Sequence, residues 1–274
     1  MRPLSDTSDD AQKVVDEVYR SMPAWRKWEL LGDLYRLARE FHASGFLMRN
    51  PLATSAQIRN DWIFGQVSSL PASFPFQGDS PVHSPSESFS ALAAVVETLD
   101  RLIIPYALGG SLASSIHGIN RNTADADLSV EPFLGKEVEF VKSFGPDYYV
   151  SLDAVRNAIR DRSSFNIILT TTGFKVDVFV RKDRPFEVSM MKRRLAMPLP
   201  GTNMRSLFIV SPEDIILLKL EWYRLGNEIS DRQWNDVLNV LRIQAGRLDE
   251  DYLSHWAKEI NVADLLIKAR AESS

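Results

Sequence analysis

The apolar run Ile103-Ile104-Pro105-Tyr106-Ala107-Leu108 ends in Gly109-Gly110-Ser111, and fourteen positions later (125 − 111) an Asp-x-Asp pair opens the stretch Asp125-Ala126-Asp127-Leu128-Ser129-Val130. In an extended strand, residues i and i+2 project to the same face, so a strand over residues 126 to 130 aims Asp125 and Asp127 at one point. Converging negative charge is unfavourable unless a cation sits there. Between the two runs Ser111 reads as the N-cap of a short helix, Leu112 to His117, whose free N–H groups favour an anion. Gly109 and Gly110 lack Cβ, so their backbone can approach a phosphate closely and adopt φ > 0. A third carboxylate, Asp177, stands in Phe174-Lys175-Val176-Asp177-Val178-Phe179-Val180. Asp is depleted in strand interiors, so this placement calls for a partner.

Carboxylates that converge beside a phosphate-binding turn suit phosphoryl or nucleotidyl transfer, in which Mg²⁺ or Mn²⁺ takes oxygen ligands and a nucleoside triphosphate (NTP) is the substrate. Two ions about 3.5–4 Å apart can clamp the attacking and leaving oxygens of an in-line displacement. In that scheme Asp125 and Asp127 bridge the metals, while Asp177 binds the metal nearer the attacking hydroxyl and helps to deprotonate it. A lone Asp-x-Asp is common on solvated strand ends and a lone Gly-Gly-Ser is usually a turn. The order strand, Gly-Gly-Ser, short helix, Asp-x-Asp strand and later hairpin Asp is what points to a site. Arg121 and Thr123 lie in the loop that feeds the Asp strand, where a guanidinium fork suits phosphate oxygens; a solvated loop arginine is the alternative.

Ser211-Pro212-Glu213-Asp214 is a strong helix start, and Ile215, Ile216, Leu217, Leu218, Leu220, Trp222, Tyr223 and Leu225 predict a helix buried on most sides. Lys219 in that setting must snorkel, pair locally with Glu221, or meet a phosphate or carboxylate in the site. Asp231 and Asp236 open the next helix, Asp231 as part of its cap and Asp236 with the option of pointing inward. His117 precedes Gly118 and reads as a helix-end residue. With His42, His83 and His255 it forms no ligand spacing, which argues against a histidine metal site.

The chain divides into three parts. Residues 1–64 form a small module with helical spacing from residue 8, and residues 65–87, with Pro71, Pro75, Pro81 and Pro85, form a linker. Residues 88–274 form the main domain: an α/β core over 88–210 and a helical part over 211–274. Expected elements are a helix at 88–102, strands at 104–108, 126–130 and 148–151, helices at 133–143 and 153–161, a hairpin of 165–170 with 174–180, and a strand at 207–210. Residues 231–272 read as helical, broken near Gly246 and Asn261. The class is α/β (α+β), a mixed β-sheet flanked by helices.

Gly109-Gly110-Ser111, then Arg121-x-Thr123-x-Asp125-x-Asp127-Leu128, then Asp177, together resemble the polymerase-beta-type nucleotidyltransferase superfamily. The segment Ser211-Pro212-Glu213-Asp214-Ile215-Ile216-Leu217-Leu218-Lys219-Leu220 is similar to its AbiEii-like branch and related uncharacterised bacterial and archaeal nucleotidyltransferases. The resemblance covers about residues 88 to 270. It implies that Gly110 and Ser111 hold the nucleotide phosphates, that Asp125, Asp127 and Asp177 are the metal-binding and catalytic carboxylates, and that Lys219 belongs to the nucleotide site. It also implies a toxin–antitoxin-like role with an antitoxin-like partner. Many members carry Ile between the two carboxylates where this chain has the smaller Ala126. An RNA end, a protein hydroxyl or a small molecule remain open as acceptors, because one fold carries many functions. Two other readings stand beside this one: an Asp-x-Asp glycosyltransferase that holds a nucleotide-sugar, and an inactive nucleotide- or partner-binding module.

Composition narrows the setting. No apolar run reaches the eighteen residues or so that a membrane span needs, and Met1 to Asp10 is polar and acidic, so neither a span nor a secretory signal is expected. The absence of cysteine fits a reducing cytoplasm and excludes thiolate zinc sites. A net charge of −4 argues against a general grip on nucleic acid. Locally, though, Arg181, Lys182, Arg184, Lys192, Arg193 and Arg194 crowd the segment after Asp177. On one face they would suit an RNA acceptor or a triphosphate; a solvated face is the alternative.

Overall fold

A computed structural model describes residues 9–66, 86–197 (apart from 122, 124 and 172) and 206–273. Three helices come first: α1 (Asp9–Ser21), α2 (Ala24–Arg49) and α3 (Ser55–Gln66). Pro23 separates α1 from α2 in extended backbone (φ −68°, ψ 152°). Apart from its ends, the linker expected at residues 65–87 lies outside the described residues. After it come α4 (Ser86–Arg101), β1 (Tyr106–Leu108), α5 (Gly110–His117), β2 (Asp125–Val130), α6 (Glu137–Lys142), β3 (Tyr148–Tyr149), α7 (Leu152–Asp161), β4 (Ser164–Leu169) and β5 (Lys175–Val180). The chain closes with α8 (Pro185–Arg193), β6 (Leu195–Met197), β7 (Leu207–Ile209) and four helices: α9 (Pro212–Leu225), α10 (Asp231–Ile243), α11 (Glu250–Glu259) and α12 (Ala263–Ser273).

The seven strands form one mixed sheet in the order β3-β4-β5-β2-β1-β7-β6. β2 runs antiparallel to β1 and parallel to β5, and β4 and β5 form the expected hairpin. Gly173 supplies the positive φ (72°) that its turn requires. In the two central strands Ala126, Leu128, Val130, Val176, Val178 and Val180 are buried, while Asp125, Asp127, Ser129, Lys175, Asp177 and Phe179 occupy the other face. Each buried Val or Leu side chain contributes about 1.5–3 kcal/mol. A one-residue slip would turn all of them outward and the carboxylates inward, so packing pins the register that assembles the polar face.

The helices start where the sequence places caps. Ser151, Ser211, Ser230 and Asp249 accept from the backbone N–H of Ala154, Asp214, Gln233 and Tyr252. Helix α6 is shorter than expected, because Phe133 to Lys136 form a turn around Gly135 (φ 84°). Helix α8 and strand β6 were not legible: α8 interleaves charges with its buried Phe186, Met190 and Met191, and β6 is a three-residue edge strand.

The N-terminal helices share the main core. Trp28, Leu31 and Tyr35 of α2 and Trp62 of α3 belong to the same continuous apolar cluster as the sheet. Lys27, only 4 % exposed, donates from Nζ to the carbonyls of Ile116 (2.9 Å) and Gly118 (3.4 Å) at the end of α5. This lysine supplies cationic donors to the negative end of that helix. Burial, followed by the charge of Arg247, lowers its pKa to about 8. Tyr35 packs edge-on against Phe174 at 6.0 Å, just ahead of β5. No described helix is long and apolar enough to cross a membrane.

Candidate active site

The parallel register of β2 and β5 pairs Asp127 with Asp177, Asp125 with Lys175 and Ser129 with Phe179. Three carboxylates separated widely in sequence thus share one sheet face. Asp177 is the carboxylate with a close cation: Lys175 Nζ lies 2.6 Å from its Oδ2. The hydrogen-bonding pattern around Asn166, opposite Asp177 on β4, assigns its amide nitrogen to the inner side, where it donates to Asp177 Oδ1 at 2.7 Å. Thr123 Oγ1 donates to Asp125 Oδ1 at 2.7 Å.

Gly110 is the tightest point of the site. It sits at φ +56°, and a Cβ built there would meet Asp127 Oδ2 at 1.7 Å. The residue before it, Gly109, donates its N–H to the Asp127 carbonyl at 2.8 Å. Glycine at position 110 is therefore required twice, by conformation and by the approach of the carboxylate. The expected N-cap at Ser111 is corrected: α5 begins at Gly110, its N-cap is Gly109 and no side chain caps it. Ser111 stands in the first turn instead, where its Oγ accepts a short hydrogen bond from Arg121 Nη2.

Arg121 holds Asp236 with a bidentate fork, Nε to Oδ1 and Nη2 to Oδ2, both at 2.8 Å. Lys219 Nζ reaches the same carboxylate at 2.8 Å. Asp236 and Lys219 are each 5 % exposed, so a buried network runs Ser111–Arg121–Asp236–Lys219 along the site wall. Lys219 meets a carboxylate and not Glu221, which pairs with Arg184 (2.6 Å) on the rim. Sequence reasoning gave Asp236 only the option of pointing inward; its signal was its position five residues after the first residue of the helix, past the first turn.

The electrostatics follow from this crowding. Burial first, then the charges of Asp125 and Asp177, push Asp127 up to about 6 against the opposing pull of Lys219 and Lys175. Asp177 is also raised, by burial and Asp125, with Lys175 holding it back. Burial acts to raise Asp236 too, but the Arg121 hydrogen bond and the charges of Lys219 and Arg121 outweigh it and hold Asp236 low. Among the described residues no three Asp, Glu or His side chains form a ready-made cation shell. The donor set nevertheless fits a hard cation at Asp125 and Asp127, since both present carboxylate oxygen on one face and Asp127 is destabilised as an anion by burial and then by its neighbours.

A cleft of about 830 Å³ opens over this face. Gly109, Gly110, Ser111, Arg121, Thr123, Asp125, Asp127 and Lys219 line it, so eight of the nine expected site residues share one cavity. Asp177 stands on the same sheet face beneath its lysine, outside the lining. The basic run divides. Arg181, Lys182 and Arg184 line the cleft, whereas Arg193 stacks on Tyr252 (3.9 Å) and pairs with Glu213, and Arg194 stacks on Phe208 (4.7 Å). Trp222, Arg162 and Gln233 also line the cleft, and their sequence positions carried no sign of it. His117 is a buried helix end whose Nε2 lies 2.8 Å from the Val210 carbonyl; burial first holds its pKa down to about 4.

No family model matches the chain, and no curated protein matches it. Among solved structures it is similar to an antigenic nucleotidyltransferase-like protein from Paracoccidioides brasiliensis, at 18% identity and TM-score 0.43 over 68% of this chain and 93% of that one. It is also similar to the antibiotic-resistance factor ANT(2'')-Ia in solution (11% identity, TM-score 0.36, 69% of this chain and 95% of that one). The crystal structure of ANT(2'')-Ia in complex with adenylyl-2''-tobramycin gives 13% identity and TM-score 0.35 over 68% of this chain and 99% of that one.

Proposed function

We propose that this protein is a metal-dependent nucleotidyltransferase that moves a nucleoside monophosphate from an NTP to an acceptor hydroxyl. The observation that carries the reading is the in-register pairing of Asp127 with Asp177, with Asp125 on the same face and Gly110 packed against the Asp127 carboxylate. Asp125 and Asp127 hold Mg²⁺ or Mn²⁺, and such an ion supplies charge neutralisation at the reacting phosphate. The first-turn N–H groups of α5 and the Ser111 hydroxyl orient the triphosphate. Arg121 and Lys219, set by Asp236, give this wall a positive side. Asp177 takes up the proton of the acceptor hydroxyl, and Lys175 offsets part of the burial that raises its pKa. The acceptor oxygen bonds to the α-phosphorus as its bond to the bridging oxygen breaks, and pyrophosphate leaves.

The pairing of Asp177 with Asp127 supports this reading over a nucleotide-sugar transferase, in which Asp177 has no task. The acceptor stays at the level of an RNA end, a protein hydroxyl or a small molecule. The toxin–antitoxin-like role rests on the sequence resemblance alone. The test is transfer of label from each α-³²P NTP with Mg²⁺ into total RNA, lysate protein and small-molecule fractions. Wild type should transfer; Asp125→Asn/Asp127→Asn, and wild type in excess EDTA, should not. Label that enters equally with the double variant would sink the proposal.

A further inference from the structure

Helix α9 buries almost every residue it can. Ile215, Ile216, Leu217, Leu220 and Tyr223 are packed away, yet Trp222 is 55% exposed. Trp222 lies one turn after Lys219, on the same side of the helix, and it lines the cleft. An indole more than half open on the wall of a positively rimmed cleft presents a large apolar face to it. The next residue along that stripe, Leu225, lines the cleft too and is 69% exposed, which extends the apolar shelf. A second observation comes from a different helix. Gln233, in the first turn of α10, lines the same cleft, and its Oε1 is buried without a hydrogen-bond partner among the described residues. A buried acceptor of this kind costs free energy until a donor reaches it.

We propose that Trp222 is the platform on which the base of the bound nucleotide stacks, and that Gln233, once its amide turns toward the cleft, accepts a hydrogen bond from an exocyclic amino group on that base. This deepens the nucleotidyltransferase reading and rests on it. The phosphates occupy the Gly110–Ser111 end, and α9 carries the base side of the same ligand one turn beyond Lys219. Stacking on a flat aromatic face tolerates any base, while the Gln233 acceptor favours one with an amino group, so ATP, CTP and GTP bind more tightly than UTP.

The experiment is a calorimetric titration of the full chain, with Mg²⁺, against the four NTPs and against inorganic tripolyphosphate, which has no base. Trp222→Ala should weaken the NTPs by about tenfold, within the range of base–aromatic stacking, and leave tripolyphosphate unchanged. Trp222→Phe should keep most of the affinity, and Gln233→Leu should erase the margin over UTP. Equal NTP binding by wild type and Trp222→Ala overturns the platform while leaving the nucleotidyltransferase reading intact. Parallel loss of tripolyphosphate gives Trp222 a structural role and overturns the platform as well. A wild type that binds UTP as tightly as the others removes Gln233 from the proposal. A wild type that binds tripolyphosphate as tightly as every NTP overturns the base subsite, and one that binds neither overturns this inference and the function together.

Discussion

Replacing Gly110 by Ala tests the geometry of the site with one methyl group. The backbone there is left-handed (φ +56°), which costs an L-residue about 1–2 kcal/mol. At about 2–4 °C per kcal/mol for a chain of this size, the melting temperature should fall by about 2–8 °C. The methyl would also stand 1.7 Å from Asp127 Oδ2 and 2.5 Å from Cγ, so the carboxylate must swing away. Misplacing a reacting group by about 1 Å can lower turnover about 10²-fold, a loss far larger than the stability change. Gly109→Ala is the control: its φ is −121°, and its new methyl would meet nothing nearer than the Asp127 carbonyl at 3.9 Å. It should melt with the wild type. Thermal denaturation and the α-³²P transfer assay on both variants decide the matter. A Gly110→Ala protein with wild-type melting and wild-type turnover, or a Gly109→Ala protein as damaged as Gly110→Ala, would refute the reasoning.

Two further outcomes concern buried charge. Asp236→Asn strands Lys219 and Arg121 without their counter-ion and should cost about 3 kcal/mol in urea unfolding, with Lys219→Met in the same chain restoring part of it; a loss below about 1 kcal/mol would show the network to be inert. Asp214, fully buried, has its pKa raised to about 6 by burial, against hydrogen bonds from Tyr252 and Ser211. Its folded form holds a proton that the unfolded chain has already lost above its ordinary value of 3.8, so its contribution to stability is full below that value and falls as pH rises to about 6. Relative to Asp214→Asn, the wild type should lose on the order of 2 kcal/mol across that window, and parallel urea-unfolding curves for the two would contradict this.

How far the residues could be read in advance depended on range. The α9 start was legible because Ser211, Pro212, Glu213 and Asp214 act within one turn, and the β4–β5 hairpin because Gly173 punctuates two apolar runs. Ser111 misled: a serine after two glycines looks like a cap, but Gly110 at φ +56° makes the turn into the helix and the Ser111 hydroxyl goes to Arg121 instead. Helix α8 was read only as a run of charge, since its cations reach partners on other elements, Glu221 for Arg184 and Glu213 for Arg193. Gln233 looked like an ordinary first-turn polar residue and Asp236 had only the option of pointing inward, because nothing local distinguishes a helix face turned to a cleft from one turned to water.

By itself the sequence determined that Asp125 and Asp127 share a face, that Gly109-Gly110-Ser111 turns the chain beside them, and that the helix carrying Lys219 is buried on most sides. Alternation, glycine freedom and apolar spacing act over a few residues and need no partner. Only the tertiary structure decided that Asp177 stands opposite Asp127 with Lys175 on it, that Asp236 ties Arg121 to Lys219, and that Trp222 faces the cleft. Those depend on which strands pair, in what register, and which helix covers them, and packing of the whole core selects among arrangements that local residue preferences leave equal.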